Sequence, residues 1–342
     1  MDPVNIRDLE HHAEATLDPG VYGYFAGGAA DELTLGQNVA AFARIRLRPR
    51  VLVDVSTVDP STSVLGLPLA MPVIVAPVAF QRLVHSDGEP GTARAAERAG
   101  SIFTLSSIAS AGPREVTAGN RWMQVYVFRD RGLTQAIIEE AVECGFRALV
   151  VTVDAPRAGR RERDLYTGFA LPADLRAPAI GNRSMTIAEV FSMVDPSFSW
   201  PDLAQLISES PLPVLVKGVH CAEDALLAVE HGAAGVVVSN HGGRQLDSVP
   251  ATIEMLPPIA EALAGRTTLL MDGGIRRGTD VLKAVALGAD AVLAGRAVLW
   301  GVAHSGEAGA EASLRILHDE IELGMRLLGV TRLADLDPSY IF

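Results

Sequence analysis

The sequence predicts an α/β protein built as a (β/α)8 barrel. Three features carry that expectation: eight short apolar runs, amphipathic segments between them, and polar residues gathered just after each run. The runs are MPVIVAPVAF (71–80), IFTLSS (102–107), WMQVYV (122–127), ALVVTVDA (148–155), PVLVKGV (213–219), GVVVSNHG (235–242), TTLLMDGG (267–274) and AVLAGRA (291–297). They are almost continuously apolar, as parallel strands buried on both faces must be. The segments AEDALLAVEHG (222–232) and GTDVLKAVALG (278–288) have helical apolar spacing and end in Gly, which suits a left-handed C-terminal cap. Polar residues at every strand end favour a TIM barrel over a doubly wound sheet. The 342 residues, 49% of them hydrophobic, suffice for one large domain. Within it, residues 1–65 are expected to form a helical N-terminal extension and 66–342 the barrel. Residues 164–200, after the fourth strand, read as a long loop with one short helix, the form of an active-site lid.

Composition narrows the partners. The net charge of −12, from 41 acids against 29 bases, opposes binding to a phosphate backbone, so no nucleic acid is expected. Cys144 and Cys221 are too few for a disulfide framework, no Cys-x-x-Cys pair suggests zinc, and no metal is expected. The start, MDPVNIRDLEHH, has no apolar signal core, and no stretch of about 18 apolar residues could span a bilayer. A soluble, cytoplasmic protein is expected.

Reactive groups in such a barrel belong at the C-terminal ends of its strands. The sixth strand ends in Ser239-Asn240-His241-Gly242-Gly243-Arg244, which places an imidazole and a guanidinium three residues apart. A lone His is usually structural; here a Gly pair lets backbone approach a ligand, and Arg offers a planar fork for a carboxylate. Asp154 ends the fourth strand, where it could orient His241 and stabilise its imidazolium. Asp272-Gly273-Gly274-Ile275-Arg276 after the seventh strand and Gly295-Arg296 after the eighth make a phosphate site of amides and guanidinium groups. Lys217, inside the fifth strand, is costly to bury unless it meets an anion, either a reduced flavin ring or an acid on a neighbouring strand.

SNHGGRQLD resembles the signature of the FMN-dependent 2-hydroxy acid oxidases and dehydrogenases, the group of glycolate oxidase, lactate oxidase and mandelate dehydrogenase. The resemblance runs from about residue 5 to residue 335 and includes YGYFAGGAADE, RLRPRVLVDV, MPVIVAPVAF, TLSS, DAPRAGRRERD, LVKGV, VPATI and DGGIRRGTDVLKAVALG. It implies FMN as cofactor and the oxidation of an (S)-2-hydroxy acid to the 2-keto acid, with oxygen reduced to hydrogen peroxide, in a homotetramer. By the same resemblance His241 is the base and Asp154 its partner, Arg244 and Arg161 hold the carboxylate, and Tyr24 and Tyr126 bond substrate or intermediate. Pro77, Val78, Ala79, Ser106, Gln124, Thr152, Lys217 and Ser239 would contact the isoalloxazine or ribityl chain, and Asp272, Gly274, Arg276, Gly295 and Arg296 the ribityl and phosphate groups. Two other readings stay open. The DGGIRRG cradle also suits IMP dehydrogenase-like or isopentenyl isomerase-like barrels, which would not need His241 beside Arg244, and a barrel could bind a phosphorylated ligand without turnover.

Two departures bear on the substrate. Ile108 follows TLSS where the short-chain glycolate enzymes carry a Trp, so a larger cavity and an aryl acid are expected, as in the 4-hydroxymandelate oxidases. A short-chain acid, or an acceptor other than oxygen, is the alternative. Phe128, counted with the substrate-binding residues, stands where many relatives have Tyr, which would remove one hydroxyl near the flavin.

Overall fold

The structure, a computed structural model, describes residues 3–181 and 185–342. The chain opens with α1 (Ile6–Thr16), α2 (Pro19–Ala26) and α3 (Leu33–Arg44). In α1, Ile6, Leu9 and Ala13 recur at helical spacing and are all buried, and Asn5 caps the first turn by accepting from the Asp8 amide at 3.1 Å. The expected helical extension stops at Arg44. An antiparallel hairpin, β1 (Thr62–Val64) and β2 (Leu67–Leu69), spans the boundary expected at 65/66. Its two turn residues, Leu65 and Gly66, both have positive φ (50° and 74°), the backbone twist that two-residue hairpins require. Val64, Leu67 and Leu69 then seal the barrel floor against Ile74, Ile102 and Trp122.

The barrel strands are β3 (Val73–Val75), β4 (Ile102–Ser106), β5 (Asn120–Val125), β6 (Ala148–Thr152), β7 (Val214–Val219), β8 (Gly235–Val238), β9 (Thr268–Asp272) and β10 (Ala291–Ala294). All eight ladders are parallel, and β10 closes onto β3 with Val292 opposite Val73. Every strand but β5 is shorter than its apolar run, and β5 starts two residues before its run and ends two before the run does. At Phe80, His241 and Gly273 the backbone turns to φ 56°, 57° and 93°, so the last residues of those runs leave the sheet and build the mouth.

The helices around the barrel are α4 (Gly88–Arg98), α5 (Arg131–Glu143), α6 (Glu162–Thr167), α7 (Ile187–Met193), α8 (Trp200–Glu209), α9 (Ala222–Glu230), α10 (Thr252–Leu263), α11 (Gly278–Ala286) and α12 (Arg296–Leu328), the last broken at Ser305–Gly306. The expected Gly caps after α9 and α11 are present, Gly232 and Gly288 having φ of 91° and 106°. The segment 164–200 holds more helix than expected: the end of α6, a 3-10 turn at Pro178–Ile180, all of α7 and the first residue of α8. Residues 182–184 of that segment lie outside the described residues. Among the described residues no helix is long and apolar enough to cross a membrane.

Candidate active site

Positions at the barrel mouth that are far apart in sequence converge on one cavity with an empty volume of about 1030 Å³. At its centre His241 opens a 3-10 turn held by the Asn240 side chain, which accepts from the Gly243 amide at 3.2 Å. The ring Nδ1 lies 2.9 Å from Asp154 Oδ1. A carboxylate can only accept there, so Nδ1 carries the proton and Nε2 is left as a base, 3.4 Å from the Tyr126 hydroxyl. Burial pushes the imidazole below its ordinary value, and Lys217 and Arg161 add to this against Asp154. Burial alone would raise Asp154, but His241, Lys217 and His220 outweigh it and hold the carboxyl low. At neutral pH the pair is therefore neutral imidazole beside carboxylate, the protonation state a general base needs. Asp154 fits because β7 bulges at Gly218, which has φ 110°; a Cβ there would come within 2.6 Å of the Asp154 Cβ.

Two guanidinium groups share the space beside His241. Arg244 stands 5.1 Å and Arg161 5.7 Å from the centroid of the Tyr24 ring, and Arg161 lies 5.7 Å from that of Phe191. One Arg244 Nη donates to the main-chain carbonyls of Tyr24 and Gly27 at 2.6 and 2.9 Å. Burial, with the like charge of Arg161, lowers Arg244 to about 10, still cationic at neutral pH. The Arg161 Nε is buried and meets no acceptor in the protein. Two like charges held together with donors to spare favour an anion between them, and Asp164 offsets only part of that charge on Arg244.

The opposite end fits a phosphorylated flavin. Lys217 Nζ is 3.1 Å from Asp272 Oδ2 and donates to Ser239 Oγ at 2.8 Å. Burial alone would lower its pKa, but Asp272 and Asp154 outweigh that and raise it, so an ammonium faces the cavity. Both anionic partners considered for this residue are thus compatible, the acid being in place. Asp272 Oδ1 is buried without a partner, as a carboxylate aimed at ribityl hydroxyls would be. Gly274, at φ 82°, has no room for a Cβ against the Asn38 carbonyl. α12 starts at Arg296 with no side-chain cap, leaving its first amides for an anion. Arg276 lines the cavity there. Arg296 lines it too, but its three nitrogens also donate to the carbonyls of Phe25, Gly242 and Gly27 at 2.8, 3.0 and 2.8 Å. It therefore ties the N-terminal segment to the barrel.

Of the residues singled out from sequence, Tyr24, Pro77, Val78, Ala79, Ser106, Ile108, Gln124, Tyr126, Thr152, Arg161, Lys217, His241, Arg244, Asp272, Gly274, Arg276, Gly295 and Arg296 line the cavity. Asp154 and Ser239 stand one step behind it, bonded to His241 and Lys217. Phe128, expected in the substrate wall, is not in the lining: it is fully buried beyond it, bridged to Val194, with its amide on Thr134 Oγ1 at 2.9 Å. The loss of a hydroxyl there takes nothing from the cavity wall. Phe25, Phe191, Ile275 and Leu299 line the cavity and were not singled out. Phe25 and Ile275 sit inside quoted motifs, whereas Phe191 on α7 carries no mark in the sequence.

An anion cradle and a proton-transfer pair in one barrel mouth define an enzyme that works with a phosphorylated cofactor. Comparison with known proteins sharpens this: the family described as FMN-dependent dehydrogenase matches residues 13–342, the chain belongs to that family, and FMN is its cofactor. Among its relatives, glycolate oxidase 3 of Arabidopsis thaliana is 47% identical over 100% of this chain and 96% of its own. An L-lactate oxidase of Nostoc sp. is 44% identical over 99% and 98%. Among solved structures, a mandelate oxidase with (S)-4-hydroxymandelic acid superimposes with a TM-score of 0.93 at 38% identity, covering 99% of this chain and 98% of that one.

Proposed function

We propose that the protein oxidises an aryl 2-hydroxy acid of the mandelate or 4-hydroxymandelate type to the 2-keto acid, with oxygen reduced to hydrogen peroxide. The observation that carries the 2-hydroxy acid is the neutral His241 beside the Arg161–Arg244 pair. The guanidinium groups bind the substrate carboxylate, which brings the α-carbon and its hydroxyl to His241 Nε2. FMN, when bound, supplies the two-electron acceptor for the α-carbon. His241 takes the proton, and Asp154 stabilises the imidazolium that results. Tyr126, its hydroxyl pushed up by burial, stays protonated and donates to the substrate oxygen. Pro77, Val78, Ala79, Ser106, Gln124 and Thr152 flank the isoalloxazine and Lys217 bonds it, with Ser239 holding the Lys217 ammonium. Asp272, Gly274, Arg276, Gly295 and Arg296 take the ribityl chain and phosphate. Phe191 on α7 covers the substrate, giving the 164–200 segment its lid role.

Aryl selectivity rests on Ile108, a buried aliphatic side chain in the cavity wall, with Tyr24 and Phe191 offering aromatic faces. A short-chain substrate is the second reading, favoured by the higher identity to glycolate and lactate oxidases. A panel of 2-hydroxy acids scored for peroxide with the purified yellow protein decides between them. Mandelate should give the highest kcat/KM, and a preference for glycolate or lactate would sink the aryl reading.

A further inference from the structure

Glu89, the second residue of α4, is a fully buried carboxylate that the proton chemistry does not use. Its Oε1 accepts from the amides of Gln81 at 3.0 Å and Ser110 at 2.8 Å, and its Oε2 from Ser110 Oγ at 2.6 Å. The nearby Arg82 does not neutralise it: that guanidinium bonds the Ser110 carbonyl at 2.7 Å and pairs with Glu115. Burial raises the Glu89 pKa against these hydrogen bonds. A buried acid without a cation is costly, and surface capping of α4 would not require it.

The three donors come from two different loops. Gln81 follows β3, two residues beyond the cavity-lining Pro77, Val78 and Ala79; Ser110 follows β4, two residues beyond the cavity-lining Ile108. Between Ala79 and Gln81 lies Phe80, held at φ 56°, a conformation that a non-glycine residue keeps only where its surroundings over-determine it. The Gln81–Glu89 bond is one such restraint, and Thr92 Oγ1 on Gln81 Oε1 at 2.6 Å is another.

We propose that Glu89 is a positioning residue that sets the gap between the Pro77–Val78–Ala79 wall and Ile108, and through it the size of acid accepted. The proposal rests on the reading of Ile108 as the size-determining wall. It is tested by the ratio of kcat/KM for (S)-mandelate to that for glycolate, with the visible flavin spectrum, in holoenzyme variants. Glu89→Ala frees both loops and should move the ratio about tenfold or more, chiefly through KM, and perturb the flavin bands, since misplacements of about 1 Å cost up to about a hundredfold. Glu89→Gln keeps an acceptor for the two amides and a group for Ser110 Oγ, and should restore the native ratio within about twofold. Ser110→Ala leaves both amide bonds intact and should shift the ratio in the same direction by less, which decides the matter even if Glu89→Ala fails to fold. An unchanged ratio and spectrum in Ser110→Ala and any folded Glu89→Ala, or equal slowing of both acids, overturns the proposal. The ratio is read relative to the native protein, so a native preference for glycolate would sink the aryl reading and leave this test intact.

Discussion

The two ends of the cavity are built on opposite terms. At the cofactor end charges are largely satisfied within the protein: Lys217 pairs with Asp272, and Asp280 accepts the amides of Arg276 and Arg277 at 3.0 and 2.9 Å. At the substrate end Arg161 keeps a buried nitrogen without an acceptor, Arg244 sits beside its like charge, and His241 Nε2 has only a long contact to Tyr126. The cofactor end pairs its cations with acids of the protein and leaves Asp272 Oδ1 and the first amides of α12 for the cofactor, whereas the substrate end holds two like charges for an anion that arrives and leaves. Substitutions at the two ends should therefore separate stability from turnover.

The sharpest separation is expected at His241. His241→Gln should keep the protein folded and yellow while flavin reduction, followed by rapid mixing, falls by about 10²–10⁴ or more. Lys217→Met should act the other way, leaving Asp272 as an unpaired buried charge at a cost of about 3–5 kcal/mol, read as a lower Tm and weaker FMN retention. Arg161→Met should raise KM by about ten- to a hundredfold, the worth of about 1.5–3 kcal/mol for a hydrogen bond to a charged group, with Tm unchanged or higher. A falling Tm there would break the contrast between the ends. Ile108→Trp should reverse the order of mandelate and glycolate, a change of about 10–200-fold in relative kcat/KM.

The pH profile refines the same contrast. Burial holds His241 below the ordinary value of 6.5, so kcat/KM should be flat through pH 7 and fall only as acid protonates the imidazole beneath 6.5. Asp154→Asn removes the charge that raises His241, so the acid limb should move to still lower pH while the plateau drops. Phe128→Tyr should do least. A hydroxyl in that closed site costs about 1–3 kcal/mol of stability if it finds no partner, read as a lower Tm, and kcat/KM for mandelate and for glycolate should not change.

How much of this was legible in sequence follows from the range of the forces involved. Parallel strands must be apolar on both faces, so all eight could be read, and the residues of the mouth followed because a polar side chain within or just after such a run, as at Lys217 or His241, is costly without a partner. Strand ends were overrun because the apolar runs continue past the ladders, which end at Val75 and Val238, to backbone turns at Phe80 and His241 that their side chains do not announce. The β1–β2 hairpin was missed since three-residue strands show no period, and its turn is only Leu65–Gly66. Phe128 was misplaced because a Phe where relatives have Tyr does not tell which way the side chain points, and past the end of β5 at Val125 it is buried beside Val194. Glu89 was invisible: a glutamate in a first helical turn reads as ordinary capping, and only the fold brings Gln81 and Ser110 to it.

The most direct test of the account is anaerobic mixing of the native yellow enzyme with (S)-mandelate and, separately, with glycolate, because bleaching of the flavin does not depend on the electron acceptor. Mandelate should bleach the flavin completely and at a higher second-order rate than glycolate. Faster bleaching by glycolate, or none by mandelate, would contradict it.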